Sequence, residues 1–203
     1  PGSCTPVPDG NVGEIWLSGP AVAAGYWNKP DSDGQVFGAT LDVGSDHPRA
    51  ACKYLRTGDL GTLHEGRLYI TGRLKDVMIF RGRCHYPNDI EKTVSDFDAR
   101  LVPGGGAAFS VQTEEGEALV VVQEVIRKGD LATLLEQVRR DIGCQHEVPV
   151  HAVTFIRKGT LLRTTSGKVR RKAMRQAWLD GTLVALQSRV FAAGPPSERL
   201  PAS

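Results

Sequence analysis

Three charged residues beside glycines have side chains suited to holding a ribose, a phosphate and a developing negative charge. Asp59 ends a Thr-Gly-Asp run, Arg73 lies in a Gly-Arg-Leu-Lys-Asp run and Lys168 ends a Ser-Gly-Lys run. A carboxylate accepts hydrogen bonds from vicinal hydroxyls, and a guanidinium matches phosphate or ribose oxygens. An ammonium on a long stem reaches a reacting carboxylate and an α-phosphate together, and stabilises the charge that develops between them. These residue types predict a nucleotide site.

Each of the three residues also has a simpler explanation when it is taken alone. An aspartate after glycine commonly bonds its own backbone in a turn. Arg73 is equally explained by a surface salt bridge, for instance to Asp76, and Lys168 by solvation in a loop. The Ser-Gly-Lys run is not a complete phosphate-binding loop, because Leu162 stands where that motif requires its first glycine. The three runs in this order and at these separations favour one common site over three unrelated turns.

The composition is that of an ordinary soluble protein. The chain has 203 residues, of which 40% are hydrophobic and 24% charged, and this is enough apolar material for a core. The net charge of +2 is too small to predict a nucleic-acid or membrane partner. Basic residues do cluster at 168–175, where a solvated helix face is the simpler explanation. No apolar run is long enough to span a bilayer, and no signal-peptide pattern is present.

The cysteines are widely spaced, with no Cys-x-x-Cys pair and no histidine cluster at metal-ligand spacing. This pattern predicts reduced thiols in a cytoplasmic protein and no metal site. The chain begins Pro1-Gly2-Ser3 without a methionine, which indicates a fragment or an excised piece. The four cysteines are Cys4, Cys52, Cys84 and Cys144.

The elements that must position the charged runs change in character along the chain. Up to residue 73 the predicted elements are strands at 12–18, 54–59 and 67–71, with a loop at 31–48 and a connection at 61–66. Beyond it, Asn88 or Asp89 is predicted to cap a helix that follows Pro87, and Gly104–Gly106 to break the chain. The further predicted elements are strands 77–80, 107–112, 118–125 and 150–156, and helices 89–97, 130–142 and 168–178.

Strands and helices are mixed without a regular βαβ repeat, which predicts the α+β class. Residues 1–73 are predicted to form the β-rich end of one domain. Residues 77–190 are predicted to form a complete small α+β domain, with a mixed sheet and flanking helices. The boundary falls at 74–76, and 191–203 has the Pro/Ser-rich composition of a linker or tail.

The three runs, in this order, resemble the C-terminal portion of the adenylate-forming superfamily, which activates carboxylic acids with ATP. The resemblance covers most of the chain and is closest to the fatty acyl-AMP ligases. It is carried by Gly-Glu-Ile-Trp-Leu at 13–17, by Gly-Arg-Leu-Lys-Asp-Val-Met-Ile at 72–79 and by His-Tyr-Pro at 85–87. It continues in Ala-Ala-Phe-Ser-Val at 107–111 and in Arg-Thr-Thr-Ser-Gly-Lys at 163–168.

The resemblance implies a role for each candidate residue. Asp59 is expected to bind the ribose hydroxyls, Arg73 the ribose or phosphate, and Ile70 to pack near the nucleotide. Lys75 is expected to be the hinge about which the small domain rotates between an adenylating and a transfer pose. Lys168 is expected to be the adenylation lysine, delivered to the active site in the first pose and withdrawn in the second.

The resemblance also implies an activity for the intact protein. A fatty acid and ATP with Mg²⁺ are converted to acyl-AMP and pyrophosphate, and the acyl group passes to the phosphopantetheine thiol of an acyl carrier protein. The phosphate loop, the acyl pocket and the subfamily insertion of the large N-terminal domain are absent, so this fragment alone is expected to be inactive. Mg²⁺ is expected to be bound mainly by the missing part. Cys84 departs from the asparagine that is frequent in the family, and a small buried side chain is its simplest explanation.

Three alternatives remain open from the sequence. An acyl-CoA ligase shares all three runs, although the sequence at 81–90 favours the acyl-AMP ligases. A binding module could use the basic helix as a docking surface for an acidic carrier protein. A degenerate homologue could bind nucleotide or acyl-adenylate as a sensor, although all three charged groups are intact.

Overall fold

The structure, a computed structural model, describes residues 4–28, 34, 36–126 and 129–191. The chain divides into two compact units, an N-terminal unit Pro1–Asp76 and a C-terminal unit Val77–Ser203. The predicted tail lies outside the described residues apart from Phe191, and so does part of the predicted loop at 31–48. Phe191 is buried and belongs to the core of the C-terminal unit, one residue beyond the predicted end of that domain.

The N-terminal unit is built on a three-stranded antiparallel sheet whose strands pair in chain order. The strands are β1 (Gly13–Leu17), β2 (Leu55–His64) and β3 (Arg67–Arg73), and Glu65 and Gly66 connect the last two with positive φ angles of 50° and 70°. Such angles are those of a tight hairpin turn. The predicted connection at 61–66 is therefore mostly wrong, because β2 continues through Gly61 to His64.

Gly61 explains why β2 extends so far. A side-chain Cβ at this position would lie 2.7 Å from the Tyr69 carbonyl oxygen, so only glycine allows β3 to approach this closely. The pairing register shifts between Leu60 and Gly61, which marks a bulge. The sequence predicted that Asp59 lies in a turn at the end of a strand. In the structure β2 continues past this residue, so Asp59 lies inside a continuous strand.

The C-terminal unit begins after Leu74–Asp76, a 3₁₀ helix. Its elements are β4 (Met78–Phe80), β5 (Arg83–His85), α1 (Pro87–Phe97), β6 (Leu101–Thr113), β7 (Gly116–Val125), α2 (Leu131–His146), β8 (Val150–Arg157), α3 (Arg171–Leu179) and β9 (Ala185–Val190). Strands β4 and β5 form a separate two-stranded hairpin. The other four strands form a mixed sheet in the order β6-β7-β8-β9, in which β7 and β8 pair in parallel and the other neighbours are antiparallel. This architecture confirms the α+β prediction.

The two faces of this sheet bury different helices. Val121 belongs to the cluster that contains the buried residues of α1 and α2, whereas its neighbour Val120 belongs to the cluster that contains Met174 of α3. This division follows from the alternation of side chains along a strand. It explains why Val-Val-Val is continuous in β7, since a strand covered on both faces needs no polar alternation.

Three predicted boundaries differ from the structure. Helix α1 begins at Pro87, with no side-chain cap from Asn88 or Asp89, because proline is well suited to the first helical turn. Gly104–Gly106 does not break the chain but forms a bulge within β6. Helix α3 begins at Arg171, so Lys168 precedes it and is not its first residue.

Strand β9 was not predicted, and the reason lies in its burial. Its residues are mostly exposed, and the sequence Ala-Leu-Gln-Ser-Arg-Val lacks the alternation that identifies a half-buried strand. Strand β9 pairs antiparallel with β8 at one edge of the sheet. Its extended conformation is therefore set by backbone hydrogen bonds to β8 and not by a hydrophobic pattern of its own.

Leu134→Ala is expected to destabilise the C-terminal unit by about 2–5 kcal/mol, because Leu134 is fully buried and its truncation leaves a cavity. The matched control is Leu179→Ala at the end of α3, where the residue is already 47% exposed and the expected loss of stability is much smaller. Urea unfolding monitored by circular dichroism measures both. Equal losses for the two variants would contradict the placement of Leu134 in the core.

Candidate functional site

Asp59 and Arg73 lie directly opposite each other on β2 and β3. The Nε–H group of Arg73 donates a hydrogen bond of 2.8 Å to Oδ1 of Asp59. The carboxylate raises the pKa of Arg73, and the charge of Asp76 adds to this effect. The side chains of Arg73 and Asp59 remain 65% and 34% exposed, so the pair contributes little to stability and is open to a ligand.

A second carboxylate, that of Glu14 on β1, supports the segment that carries Asp59. Oε2 of Glu14 accepts hydrogen bonds from Nε and Nη2 of Arg56 at 3.0 and 2.8 Å, and from the indole N–H of Trp16 at 3.0 Å. Its Oε1 accepts the backbone N–H of Gly58 at 3.2 Å, where φ is +71°. Glu14 therefore holds the glycine that precedes Asp59 in a left-handed conformation.

Thr57 connects the same segment to β1. Its hydroxyl donates to the Ile15 carbonyl at 2.8 Å and accepts the backbone N–H of Asp59 at 3.0 Å. The Thr-Gly-Asp run is thus fixed on both sides of its glycine. Sequence reasoning missed Glu14 and Arg56 as support for the site; the available signal was a lone glutamate within an otherwise apolar strand.

Glu14→Gln is expected to lower the stability of the N-terminal unit by about 1–3 kcal/mol, because it weakens the hydrogen bonds of Arg56 and Gly58 to a buried acceptor. Burial raises the pKa of Glu14, but the hydrogen bonds from Arg56 and Trp16 and the charge of Arg56 outweigh it, so the pKa is lowered from 4.5. Because the pKa of Glu14 is lower in the folded protein than in the unfolded chain, its ionised carboxylate stabilises the fold at pH values above 4.5. This contribution to the free energy of unfolding is lost as the pH falls below 4.5 and the carboxylate is protonated.

Thermal melts of the Glu14→Gln variant between neutral pH and pH 3 are the measurement. The variant should lose less stability on acidification than the unaltered protein. Asp9→Asn, at an exposed position of the same unit, is the control. An unchanged acid dependence in Glu14→Gln would show that Glu14 is not ionised in this hydrogen-bond network.

Two further candidates lie in the N-terminal unit. Ile70 of β3 is 69% exposed, so its apolar side chain is accessible to a ligand. Lys75 is exposed in the 3₁₀ helix Leu74–Asp76, and the division between the two units falls directly after that helix.

Lys168 belongs to the C-terminal unit and lies near the end of a short hairpin before α3. Arg163 and Val169 form the bridge that closes the hairpin. The backbone N–H of Lys168 donates to the hydroxyl of Thr164 at 3.0 Å, and Gly167 takes a φ of +83° in the turn between them. The Lys168 side chain is exposed and has no hydrogen-bond or ion-pair partner among the described residues. The backbone around this ammonium is ordered, while the ammonium itself is free to bind an anion.

The remaining residues that the sequence singled out have more ordinary surroundings. Arg171 donates to the Glu91 carboxylate, so its charge is already neutralised, whereas Arg170 and Lys172 are exposed. Cys84 is an exposed free thiol on β5, which contradicts the expectation of a small buried side chain.

Across the described ranges, no group of three or more His, Cys, Asp or Glu side chains is arranged to hold a metal ion. Nor does any helix in that part of the chain have the length and apolar character to cross a bilayer.

The C-terminal half of the chain matches a known protein family. Residues 75–188 match the family described as Disco-interacting protein 2-like, AMP domain. A medium-chain-fatty-acid–[acyl-carrier-protein] ligase of Moorena producens, JamA, is 42% identical over 88% of this chain and 30% of its own length. The long-chain-fatty-acid–AMP ligase FadD32 of Mycolicibacterium smegmatis is 36% identical over 90% of this chain and 34% of its own length. The chain thus spans about a third of the length of the curated relatives that it matches.

Solved structures share the fold. A structure from a study of fatty acyl-adenylate ligases of E. coli and L. pneumophila covers 88% of this chain at 28% identity, with a TM-score of 0.69 and 29% of its own length matched. The structure of McyG A-PCP complexed with phenylalanyl-adenylate reaches a TM-score of 0.71 over 88% of this chain and 30% of its own length. At 21% identity the second likeness concerns the fold alone.

Proposed function

We propose that this chain, which belongs to the fatty acyl-AMP ligases of the adenylate-forming superfamily, is the C-terminal part of an enzyme that activates a fatty acid with ATP and passes the acyl group to an acyl carrier protein. The observation that carries this proposal is the accessible Asp59–Arg73 pair together with the ammonium of Lys168, which has no partner among the residues that the structure describes. A pair built only for stability would gain little at this exposure. A ligase relative at 42% identity supports the same reaction class.

The Asp59–Arg73 pair is suited to hold the nucleoside. Oδ1 of Asp59 accepts from Arg73, which leaves Oδ2 to accept hydrogen bonds from the ribose hydroxyls. Arg73 uses its Nε–H on Asp59 and presents its terminal N–H groups to a ribose or phosphate oxygen. The exposed side chain of Ile70 on the same strand offers an apolar contact to the nucleotide.

Lys168 supplies the positive charge for the adenylation step. The fatty carboxylate attacks the α-phosphorus of ATP, a new P–O bond forms, and the bond to pyrophosphate breaks. Negative charge on the α-phosphate oxygens grows in the transition state, and the Lys168 ammonium donates hydrogen bonds to an α-phosphate oxygen and to the attacking carboxylate. Such a cation is worth more in the transition state than in the ground state, so it accelerates the step.

The segment 74–76 is proposed as the hinge between the adenylating and transfer poses, with Lys75 at its centre. The end of the N-terminal unit at Asp76 and the exposure of Lys75 support this role. A short 3₁₀ helix absorbs changes of backbone angle more readily than a long α-helix or a strand in a sheet. In the transfer pose Lys168 leaves the site, and the phosphopantetheine thiol attacks the acyl carbonyl with release of AMP.

The remaining components follow from this reaction. ATP is a substrate and brings Mg²⁺ on its phosphates; the described residues offer no cluster for that ion, and we assign its protein ligands to the rest of the enzyme. This chain by itself is expected to form no acyl-AMP. Four unpaired cysteines and the need for ATP favour the cytoplasm as the compartment.

The acceptor of the acyl group is tested on the full-length ligase that carries this chain. Pyrophosphate release with a panel of fatty acids measures adenylation, and acyl transfer to CoA is compared with transfer to a phosphopantetheinylated carrier protein. We expect transfer to the carrier and little acyl-CoA. Efficient acyl-CoA formation would identify an acyl-CoA ligase and leave the roles of Asp59 and Lys168 unchanged. Absence of pyrophosphate release with every acid would contradict the proposed function and favour a nucleotide sensor.

A further inference from the structure

Arg163 makes two hydrogen bonds to backbone carbonyls in two different parts of the C-terminal unit. Its Nη1 donates to the carbonyl of Gly167 at 3.0 Å, inside the hairpin that carries Lys168. Its Nη2 donates to the carbonyl of Gly104 at 2.6 Å, in strand β6. One planar guanidinium therefore joins the turn before Lys168 to the sheet.

The carbonyl of Gly104 is available because β6 is irregular there. In β6, Leu101 pairs with Val125 of β7, and the next paired residue, Gly106, pairs with Gln123. The four residues 102–105 of β6 therefore lie opposite a single residue of β7, Glu124. A bulge of this size leaves backbone groups without ladder partners. Gly104 has a φ of +62°, which glycine adopts without strain. The glycine run that resembled a chain breaker instead exposes an acceptor for Arg163.

Glu124, which faces the bulge, anchors the base of the same hairpin. Its side chain is buried, and its Oε1 accepts the backbone N–H of Leu161 at 2.8 Å. The base is further closed by the backbone N–H of Arg170, which donates to the carbonyl of Leu162 at 2.9 Å. The hairpin is thus fixed at its base by Glu124 and near its tip by Arg163.

We propose that Arg163 is a positioning residue for adenylation, which holds the Lys168 turn against the bulge in β6 so that the ammonium is presented in one place. Without Arg163 the hairpin keeps the anchors at its base and the hydrogen bonds inside its turn, which include those from Gly167 and Lys168 to Thr164. It loses the hydrogen bond that joins the tip to the carbonyl of Gly104, so the tip gains freedom to move relative to the sheet. A long side chain on a moving turn samples many positions. Displacement of a catalytic group by about 1 Å can cost about 10²-fold in rate. This inference rests on the role proposed for Lys168.

The test uses the full-length ligase with Arg163→Ala, Lys168→Ala and the double variant. We expect Arg163→Ala to slow fatty acyl-AMP formation by about 10- to 100-fold with little change in KM for ATP. Transfer from supplied acyl-AMP to the carrier protein should remain unchanged. The double variant should be no slower than Lys168→Ala, because a residue that acts only through Lys168 has nothing left to position. Arg163→Lys, which keeps the charge but not the two-carbonyl geometry, should be intermediate.

Hydrogen exchange supplies a readout that does not depend on activity. The amides of residues 163–169 should exchange faster in Arg163→Ala, while those of α2 should be unchanged. Lys158→Ala removes an exposed cation from the turn after β8 and serves as the control for charge loss, with exchange and adenylation as in the unaltered enzyme.

Several results would overturn the positioning role. Unchanged adenylation or unchanged exchange at 163–169 in Arg163→Ala would do so. Additive losses in the double variant would mean that Arg163 acts independently of Lys168, and equal loss of both half-reactions would mean general damage to the fold. Failure of the proposed function looks different, because Lys168→Ala would then adenylate normally whatever Arg163 does.

Discussion

Lys168→Ala is expected to reduce formation of acyl-AMP by the full-length ligase by about 10²-fold or more. The variant removes the only atom of this side chain that can donate to the α-phosphate and the attacking carboxylate. Because the ammonium is exposed and has no partner among the described residues, its removal should leave the stability of the C-terminal unit unchanged. The large effect on rate and the small effect on stability together identify a group that acts on the reacting atoms.

The measurement separates the two half-reactions. Pyrophosphate exchange reports adenylation, and carrier acylation from supplied acyl-AMP reports transfer, the step in which we propose that Lys168 is withdrawn. We expect Lys168→Ala to lose most of its adenylation rate and to keep its rate of acyl transfer to the carrier. Lys172→Ala, an exposed lysine on the first turn of α3, is the matched control for adenylation. Full adenylation by Lys168→Ala would refute the role of this residue, and parallel loss of both half-reactions would indicate a structural effect.

Asp59→Asn is expected to lower kcat/KM for ATP by about 10- to 100-fold. The substitution keeps the size of the side chain but removes the negative charge that we propose accepts hydrogen bonds from the ribose hydroxyls. Hydrogen bonds to a charged group are worth about 1.5–3 kcal/mol. It also weakens the hydrogen bond from Arg73, which orients the carboxylate. Since Arg73 is exposed and Asp59 is partly exposed, the melting temperature should change little.

A substrate analogue makes this test specific for the ribose. The unaltered ligase should use ATP much better than 2′,3′-dideoxy-ATP, whereas Asp59→Asn should discriminate weakly between the two. Asp9→Asn, at an exposed position in the same unit, should keep the full discrimination. If Asp59→Asn still distinguished the two nucleotides as the unaltered enzyme does, the ribose hydroxyls would have to bind elsewhere.

Local sequence was sufficient for the main features of the fold. The helical spacing of Leu131, Leu134, Leu135 and Val138 and the β-branched run of β7 predict their elements because both patterns reflect burial of one or two faces. The α+β class was predicted from the mixture of strands and helices without a regular βαβ repeat, and it is confirmed. Membership of the fatty acyl-AMP ligases was predicted from the resemblance of the charged runs and the sequence around them, and it is confirmed as well. The boundaries were less well predicted: β2 extends past Gly61, and α3 starts at Arg171.

What sequence alone determined is the set of charged groups and the chemistry that they allow, because side-chain charge and hydrogen-bonding capacity do not depend on the fold. Only the tertiary structure decided how these groups are held. The pairing of Asp59 with Arg73 depends on strand register, and the support by Glu14 joins residues more than forty positions apart. The contact of Arg163 with Gly104 depends on a bulge in a strand far along the chain. Strand pairing and bulges arise from the packing of the whole unit, so no local pattern of residues specifies them.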